Sequence, residues 1–397
     1  MNAPNLPGTR ERWRMGVEAR ALLLVTAVLV AFGLAVLYSA SALVAVNAGS
    51  PGHFFVLRQA TGVLVGTALF AWLAKVDAEM LRRFAWPIMG LSLVLMLVII
   101  VPGTESISGE LYGSRRYLFN GSLQPSELAK FAVLVWTPML LVKKGDAVRR
   151  LGKGLLPFVV VIGLLSVLAI LEPDYSVAMM FCLLMAVLLF VGGARVAHFF
   201  FIGALAVPLL VQQASQSTYV RERVRSFLAH EETDTLRKAP TGDQQYQSLV
   251  AVGSGGTLGV GFGQGNQQRG WLPLAYNDFV GSVVGEEFGF VGIAALTLAF
   301  ALYGWLGFRI ARNARSPFCS LLATGLTFTT VLTAFIHIGV VIGLLPNTGL
   351  TLPFVSYGRS NLVLTLAMTG ILVNIGSARE RVYGVSATDP HLVRLTE

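Results

Sequence analysis

Long apolar runs separated by polar joints dominate the chain. They lie near 21–46, 56–74, 84–102, 127–142, 155–171, 176–193, 197–213, 282–308, 318–343 and 361–376. At roughly 20 apolar residues per crossing, this pattern predicts about ten transmembrane helices. The runs are too long and continuous for barrel strands, which alternate over roughly 10 residues. The expectation is therefore an all-α polytopic membrane protein. One membrane domain spans 21–376, between a basic N-terminus (1–20) and a short polar tail (377–397). Two longer polar stretches interrupt it, 103–126 and 214–281. The second is far longer than an ordinary connection.

Composition agrees with the pattern. Of the 397 residues 54% are hydrophobic and 13% charged, against roughly 25% charged in soluble domains. The net charge of +9 follows from topology rather than from a nucleic-acid surface. An even number of spans puts both termini on one side. Arg10 to Arg20, Lys75, Arg82, Arg83, Lys143 to Lys153, Arg195, Arg309 to Arg315, Arg379 and Arg381 fall on that side. The opposite short loops and their edges hold only Arg58, Arg115, Arg116 and Arg359. Basic residues mark the cytoplasmic side, and long loops such as 214–281 weigh little. Both termini are thus expected in the cytoplasm, with 103–126, 172–175, 214–281 and 344–360 outside. An active site built on those loops faces away from ATP. The two cysteines, Cys182 and Cys319, lie in apolar runs and have neither disulfide nor metal spacing. The first apolar run lacks a cleavage pattern and is expected to remain as a span.

Asp278 stands where the long polar stretch meets the eighth apolar run. A carboxylate at the mouth of a membrane helix is costly without a task or a partner, which makes Asp278 the best candidate for a general base. Glu286 and Glu287 follow about two turns deeper. Adjacent helical residues point about 100° apart, so the two cannot both share a face with Asp278. They read as partners of buried donors. Glu127 and Lys130, at i and i+3, read as a salt bridge that permits burial, as a charged cavity wall, or as both. Arg115 and Arg116 are either solvated or a diphosphate clamp. Arg58 and Arg359 are weaker cationic candidates, and Arg58 could simply snorkel. Glu172-Pro-Asp174 is a tight turn with Asp174 as N-cap, or an acid facing the same outer cavity. The glycine-rich 254–265 lacks the Lys-Ser/Thr of a P-loop and reads as a flexible loop whose backbone approaches a ligand. Residues 345–358 read as a re-entrant or broken segment lining a cavity, or as an ordinary loop. His198 and His337 read as packed core histidines. The segment 217–238 could be an amphipathic helix on the outer leaflet or a partner-docking loop.

These motifs resemble the SEDS family (shape, elongation, division and sporulation). They are Leu272-Pro273…Asp278-Phe279…Glu286-Glu287-x-Gly289-x-x-Gly292, Gly349-Leu-Thr-Leu-Pro353-Phe-Val-Ser-Tyr-Gly358, Pro173-Asp174, Arg116 with Gln124-Pro-Ser-Glu127-x-x-Lys130, and Gln247-Ser248. Leu37-Tyr-Ser-Ala-Ser41 and the basic N-terminus look more FtsW-like than RodA-like. The resemblance implies a peptidoglycan glycosyltransferase that polymerises lipid II at the outer face of the bacterial cytoplasmic membrane during cell division. It releases undecaprenyl pyrophosphate and works with a class B penicillin-binding protein, a transpeptidase, among other divisome membrane proteins at the septum. It also implies that Asp278 is catalytic and that Glu127, Lys130 and Asp174 line the cavity. The sequence departs from the family where Pro-Glu-x-His-Thr-Asp reads Pro273-Leu-Ala-Tyr-Asn-Asp278, and where Ser-Tyr-Gly-Gly-Ser-Ser reads Ser356-Tyr-Gly-Arg359-Ser-Asn361. No carboxylate cage for a metal is evident, although a divalent cation could bridge the diphosphate. The alternatives are a lipid II flippase or other lipid carrier, the elongation-type (RodA) polymerase, and a scaffold that only recruits the transpeptidase.

Overall fold

The computed structural model describes residues 9–101, 103–104, 116–118, 123–216, 218–228 and 240–383. Each apolar run is a helix: α1 Val17–Asn47, α2 Phe54–Leu73, α3 Leu81–Ile100, α4 Pro125–Lys144, α5 Leu156–Leu171, α6 Tyr175–Val191 and α7 Val196–Gln216. The long polar stretch contributes α8 Thr218–Leu228 and α9 Pro240–Gly255, and then come α10 Val280–Arg312, α11 Pro317–Val341 and α12 Arg359–Ile375. Among the described residues, seven helices are long and apolar enough to cross a membrane, and α6 and α12 are shorter apolar ones. With α7 they account for the ten expected spans.

Among the described residues a two-stranded sheet departs from an all-helical chain. β1 (Thr9–Met15) and β2 (Ser377–Tyr383) pair antiparallel, Met15 opposite Ser377 and Thr9 opposite Tyr383. The pair joins the two ends of the chain, as an even number of crossings allows. Local periodicity carries no signal for a contact that distant.

α4 is the central post. Pro125 opens it at a position that needs no backbone N–H. From Pro125 to Leu141 nearly every residue is buried, with α3, α6, α11 and α12 packed around it. A charged pair on its first turns therefore has no route to lipid. Around it, α2 packs on α12, α5 on α6, and α1 and α11 on α10.

α10 is broken at Gly289, where φ is 65° and ψ is −158°. The turn after α9 inserts into the break. The amides of Val260 and Gly261 donate to the Glu286 and Glu287 carbonyls at 3.0 and 3.1 Å. Phe290 and Val291 donate to Gly256 and Thr257 at 2.9 and 3.2 Å. Polar backbone at membrane depth is tolerated only when protein satisfies it in this way. Gly289 lies roughly 13 Å along the axis from Val280 at 1.5 Å per residue, so the glycine stretch dips beside α10. Its backbone approaches a helix, a contact that its glycine content did not specify.

Gly259 is the tightest point of this insertion. Its φ is +83° and a Cβ there would lie 2.1 Å from the Glu287 carbonyl oxygen. Gly259→Ala is expected to destabilise the protein by roughly 2–4 kcal/mol. Gly256→Ala, at φ +55° in open space, is expected to cost about 1–2 kcal/mol. Melting in detergent followed by tryptophan fluorescence compares them. Equal melting temperatures would refute the insertion.

Candidate active site

Asp278 lies in the turn that leads into α10, two residues before Val280. Its neighbours are held on both sides by the segment 345–358. The Tyr357 amide donates to the Tyr276 carbonyl at 2.9 Å. Ser356 Oγ donates to the Asn277 carbonyl at 2.7 Å and accepts from the Leu352 amide at 2.8 Å. Beyond Asp278, the Gly281 amide donates to His337 Nε2 at 3.2 Å. The proton of His337 is then on Nδ1, which donates to the Leu350 carbonyl at 2.9 Å. His337 is thus a hydrogen-bonded core histidine, as expected, and it ties α11 to both strands of the site.

The non-family residue Tyr276 packs its ring against Phe55 and Tyr357, with centroids 4.8 and 5.8 Å apart. It anchors the turn by aromatic packing. Leu274 takes a left-handed conformation at φ +56°, which costs a non-glycine residue roughly 1–2 kcal/mol.

Three further elements converge on Asp278. Arg116, in the short stretch 116–118, donates from Nε to the Glu172 carbonyl at 3.2 Å and from Nη2 to the Pro173 carbonyl at 2.5 Å. Its Nη1 lies 3.7 Å from Asp174 Oδ2. Asp174 caps α6 through the Val177 amide at 3.2 Å. Asp174 is thus the N-cap read from the sequence, with one oxygen capping α6 and the other turned to Arg116. On α4, Lys130 Nζ and Glu127 Oε1 pair at 2.7 Å, both buried. Tyr117 sits among these groups. Burial, then the carboxylates of Asp278 and Glu127, hold its phenol above the usual range, so it is a protonated donor.

Burial pushes the Asp278 carboxyl up to about 6; Arg223 and then Arg116 oppose this, and Asp174 adds to it. Asp278 is only partly buried by exposure, so it combines a desolvated environment with access. A base whose acidity lies near the working pH is well matched to accept a proton. Glu172 is different. Burial and the neighbouring Asp174 push it up to about 8 against the pull of Arg116, so it is a neutral acid at pH 7. Among the described residues no group of three or more His, Cys, Asp and Glu is arranged to hold a metal.

Of the candidates read from the sequence, the structure brings together Asp278, Arg116, Asp174, Glu127 and Lys130. Arg115 lies outside the described residues. Arg58 and Arg359 are on the α2–α12 side. The Arg58 guanidinium lies over the Phe54 ring, 5.5 Å from its centroid, and the Arg359 stem packs against α2 at Gly62. Glu286 accepts from the Asn266 amide at 2.7 Å, and Glu287 from Ser39 on α1. Both are structural partners of buried donors, as expected.

Arg223 on α8 was not among the candidates. Its helix packs on α7 and α9; of the segment 217–238, residues 217 and 229–238 lie outside the described residues. Arg223 Nη1 donates to the Asn347 carbonyl at 2.9 Å. The signal was available, because Arg223 shares a helix face with Val220 and Phe227 at i−3 and i+4. All three are partly buried, while Arg221, Glu222 and Val224 are exposed. A charge on the apolar face of an amphipathic helix needs a partner inside.

The fold and this cluster of a carboxylate and cations define a multi-pass membrane protein with a polar site built on its loops. A family model described as a cell cycle protein, FtsW/RodA/SpoVE, matches residues 19–381, and the chain belongs to that family. A probable peptidoglycan glycosyltransferase FtsW from Trichlorobacter lovleyi is 35% identical over 372 residues, 93% of this chain and 95% of the relative. The stage V sporulation protein E of Bacillus subtilis is 33% identical over 356 residues, 89% of this chain and 95% of the relative. Among solved structures, a chain from work on polymerization and crosslinking by a peptidoglycan synthase complex aligns with a TM-score of 0.71 and 27% identity. It covers 90% of this chain and 97% of its own length. RodA of Thermus thermophilus aligns at 0.65 and 25% identity over 94% and 98%.

Proposed function

We propose that the protein polymerises lipid II at the outer face of the bacterial cytoplasmic membrane, with Asp278 as general base. It is a peptidoglycan glycosyltransferase, an enzyme of the FtsW kind acting in cell division. The observation that carries the site assignment is the cluster itself. A desolvated, accessible carboxylate faces cations from two other elements, with a buried ion pair behind them.

In the proposed step, Asp278 removes the proton of the acceptor's 4-hydroxyl as that oxygen attacks the anomeric carbon of the donor. The bond from that carbon to the diphosphate oxygen breaks. Undecaprenyl pyrophosphate leaves with the electron pair, and the configuration inverts. Arg115, Arg116 and Lys130 are the proposed cations for the developing diphosphate charge, with Arg58 and Arg359 as weaker contacts. Glu127 and Asp174 hold Lys130 and Arg116 in place. A divalent cation bridging the diphosphate would share that work. The likeness to a chain of a synthase complex supports a class B penicillin-binding protein as partner. The distribution of basic residues supports cytoplasmic termini.

The experiment pairs two assays on the purified chain, with and without the transpeptidase: polymerisation of labelled lipid II, and its flipping in vesicles. Polymer without flipping is the expected result. Flipping without polymer would replace the enzyme by a lipid carrier. Septal rather than lateral localisation in dividing cells is expected of the division enzyme.

A further inference from the structure

Arg223 enters the site from α8. Its Nη1 is bonded to the Asn347 carbonyl, and that segment is itself fixed. Asn347 Oδ1 accepts from the Gly349 amide at 3.0 Å, Ser176 Oγ from α6 donates to the Thr348 carbonyl at 2.5 Å, and His337 donates to the Leu350 carbonyl. At Gly349 the chain passes between two charges. A methyl group built on that glycine would lie 3.7 Å from both Arg223 Nη2 and Asp278 Oδ2. One arm of the guanidinium is therefore anchored while the other flanks the same glycine as the carboxylate.

We propose that Arg223 is a positioning residue for glycosyl transfer: it orients the Asp278 carboxylate and stabilises its anionic form. The inference rests on the reading of Asp278 as base. The other groups facing Asp278 are already committed. Arg116 is engaged by the Glu172 and Pro173 carbonyls and by Asp174. Tyr117 presents a protonated phenol, and Asp174 caps α6. On α11, His337 accepts at Nε2 from Gly281 and so carries no charge. Glu127 with Lys130 on α4 and the neutral Glu172 lie behind Arg116 and Tyr117. Tyr357, from the segment 345–358, packs on Tyr276. Among the described residues, Arg223 and then Arg116 favour the charged form of Asp278, and Arg223 has the larger influence. Removing it favours the neutral, protonated carboxyl, so the acid limb of the rate profile moves to higher pH.

The test is polymerisation of labelled lipid II by the full-length chain with its transpeptidase, as kcat and KM against pH. Arg223→Gln is expected to lower kcat about 10- to 100-fold and to move the acid limb up by about one pH unit. Arg223→Lys keeps the charge but has no second arm to flank Gly349 while the first holds the Asn347 carbonyl. It is expected to recover part of kcat with a smaller upward shift and an unchanged KM. An unmoved limb in Arg223→Gln would overturn the proposal, whatever the rate. A rise in KM alone would make Arg223 a substrate contact instead. Should Arg223→Gln fail to fold, a wild-type rate and profile in Arg223→Lys would equally overturn it. Asp278→Asn is the control. Activity surviving there defeats the base assignment, whereas its loss beside an unmoved Arg223→Gln limb defeats only this inference.

Discussion

Asp278→Asn is expected to slow lipid II polymerisation by roughly 10²–10⁴-fold, the usual contribution of a positioned general base. The amide keeps the shape of the carboxylate and cannot accept the proton. The backbone on either side is held by Ser356, Tyr357 and His337 rather than by the Asp278 side chain. The variant should therefore fold, with a melting temperature equal to or above that of the wild type, because a desolvated charge has been removed. The pH profile adds a second reading. The base works only when ionised, and burial has pushed its carboxyl up to about 6. The wild-type rate at limiting substrate should rise about tenfold per pH unit below that value and level off above it. A flat profile across this range, or an Asp278→Asn enzyme of normal rate, would remove Asp278 from the chemistry.

Lys130→Met is expected to destabilise the protein by roughly 3–5 kcal/mol, since it strands the buried Glu127 carboxylate on α4. Lys130 is 5% exposed and Glu127 9%. At 2.7 Å each makes the other's burial tolerable. The double variant Glu127→Gln/Lys130→Met leaves no stranded charge and should regain most of the lost stability. Activity separates the two readings of the pair. If Lys130 stabilises the leaving diphosphate, the double variant melts near the wild-type temperature yet polymerises lipid II at least about 10-fold more slowly. A stable double variant of full activity would make the pair purely structural. A double variant as unstable as Lys130→Met would show that the burial itself had been misjudged.

The ten spans were legible because membrane helices are set by one local quantity, about 20 consecutive apolar residues. Their observed ends fall within a few residues of the runs; α4 begins at Pro125 and α11 at Pro317, where proline favours a helix start. Asp278, Glu127 and Lys130 were legible for a related reason, since charges at membrane depth need a task or a partner. Arg223 was harder to see. Three arginines spaced two apart on an amphipathic helix look alike until the face shared with Val220 and Phe227 singles one out. The partner of the glycine stretch was not legible, because glycine content reports that backbone must come close to something, without saying to what. Here that something is the broken turn of α10.

The amino-acid sequence by itself determined the all-helical membrane class, the span boundaries, the candidate base and its family. All of these depend on local hydropathy, on single costly residues, or on short motifs. Only the tertiary structure decided which charges meet. Arg116 binds the 172–174 turn, Arg223 and Asp278 both flank Gly349, Glu286 and Glu287 turn to backbone and Ser39, and β1 pairs with β2. The physical reason is that these contacts join residues far apart in the chain. Hydrogen bonds and charge pairs act over a few ångströms in space, and no local pattern states which distant segments will be brought within that reach.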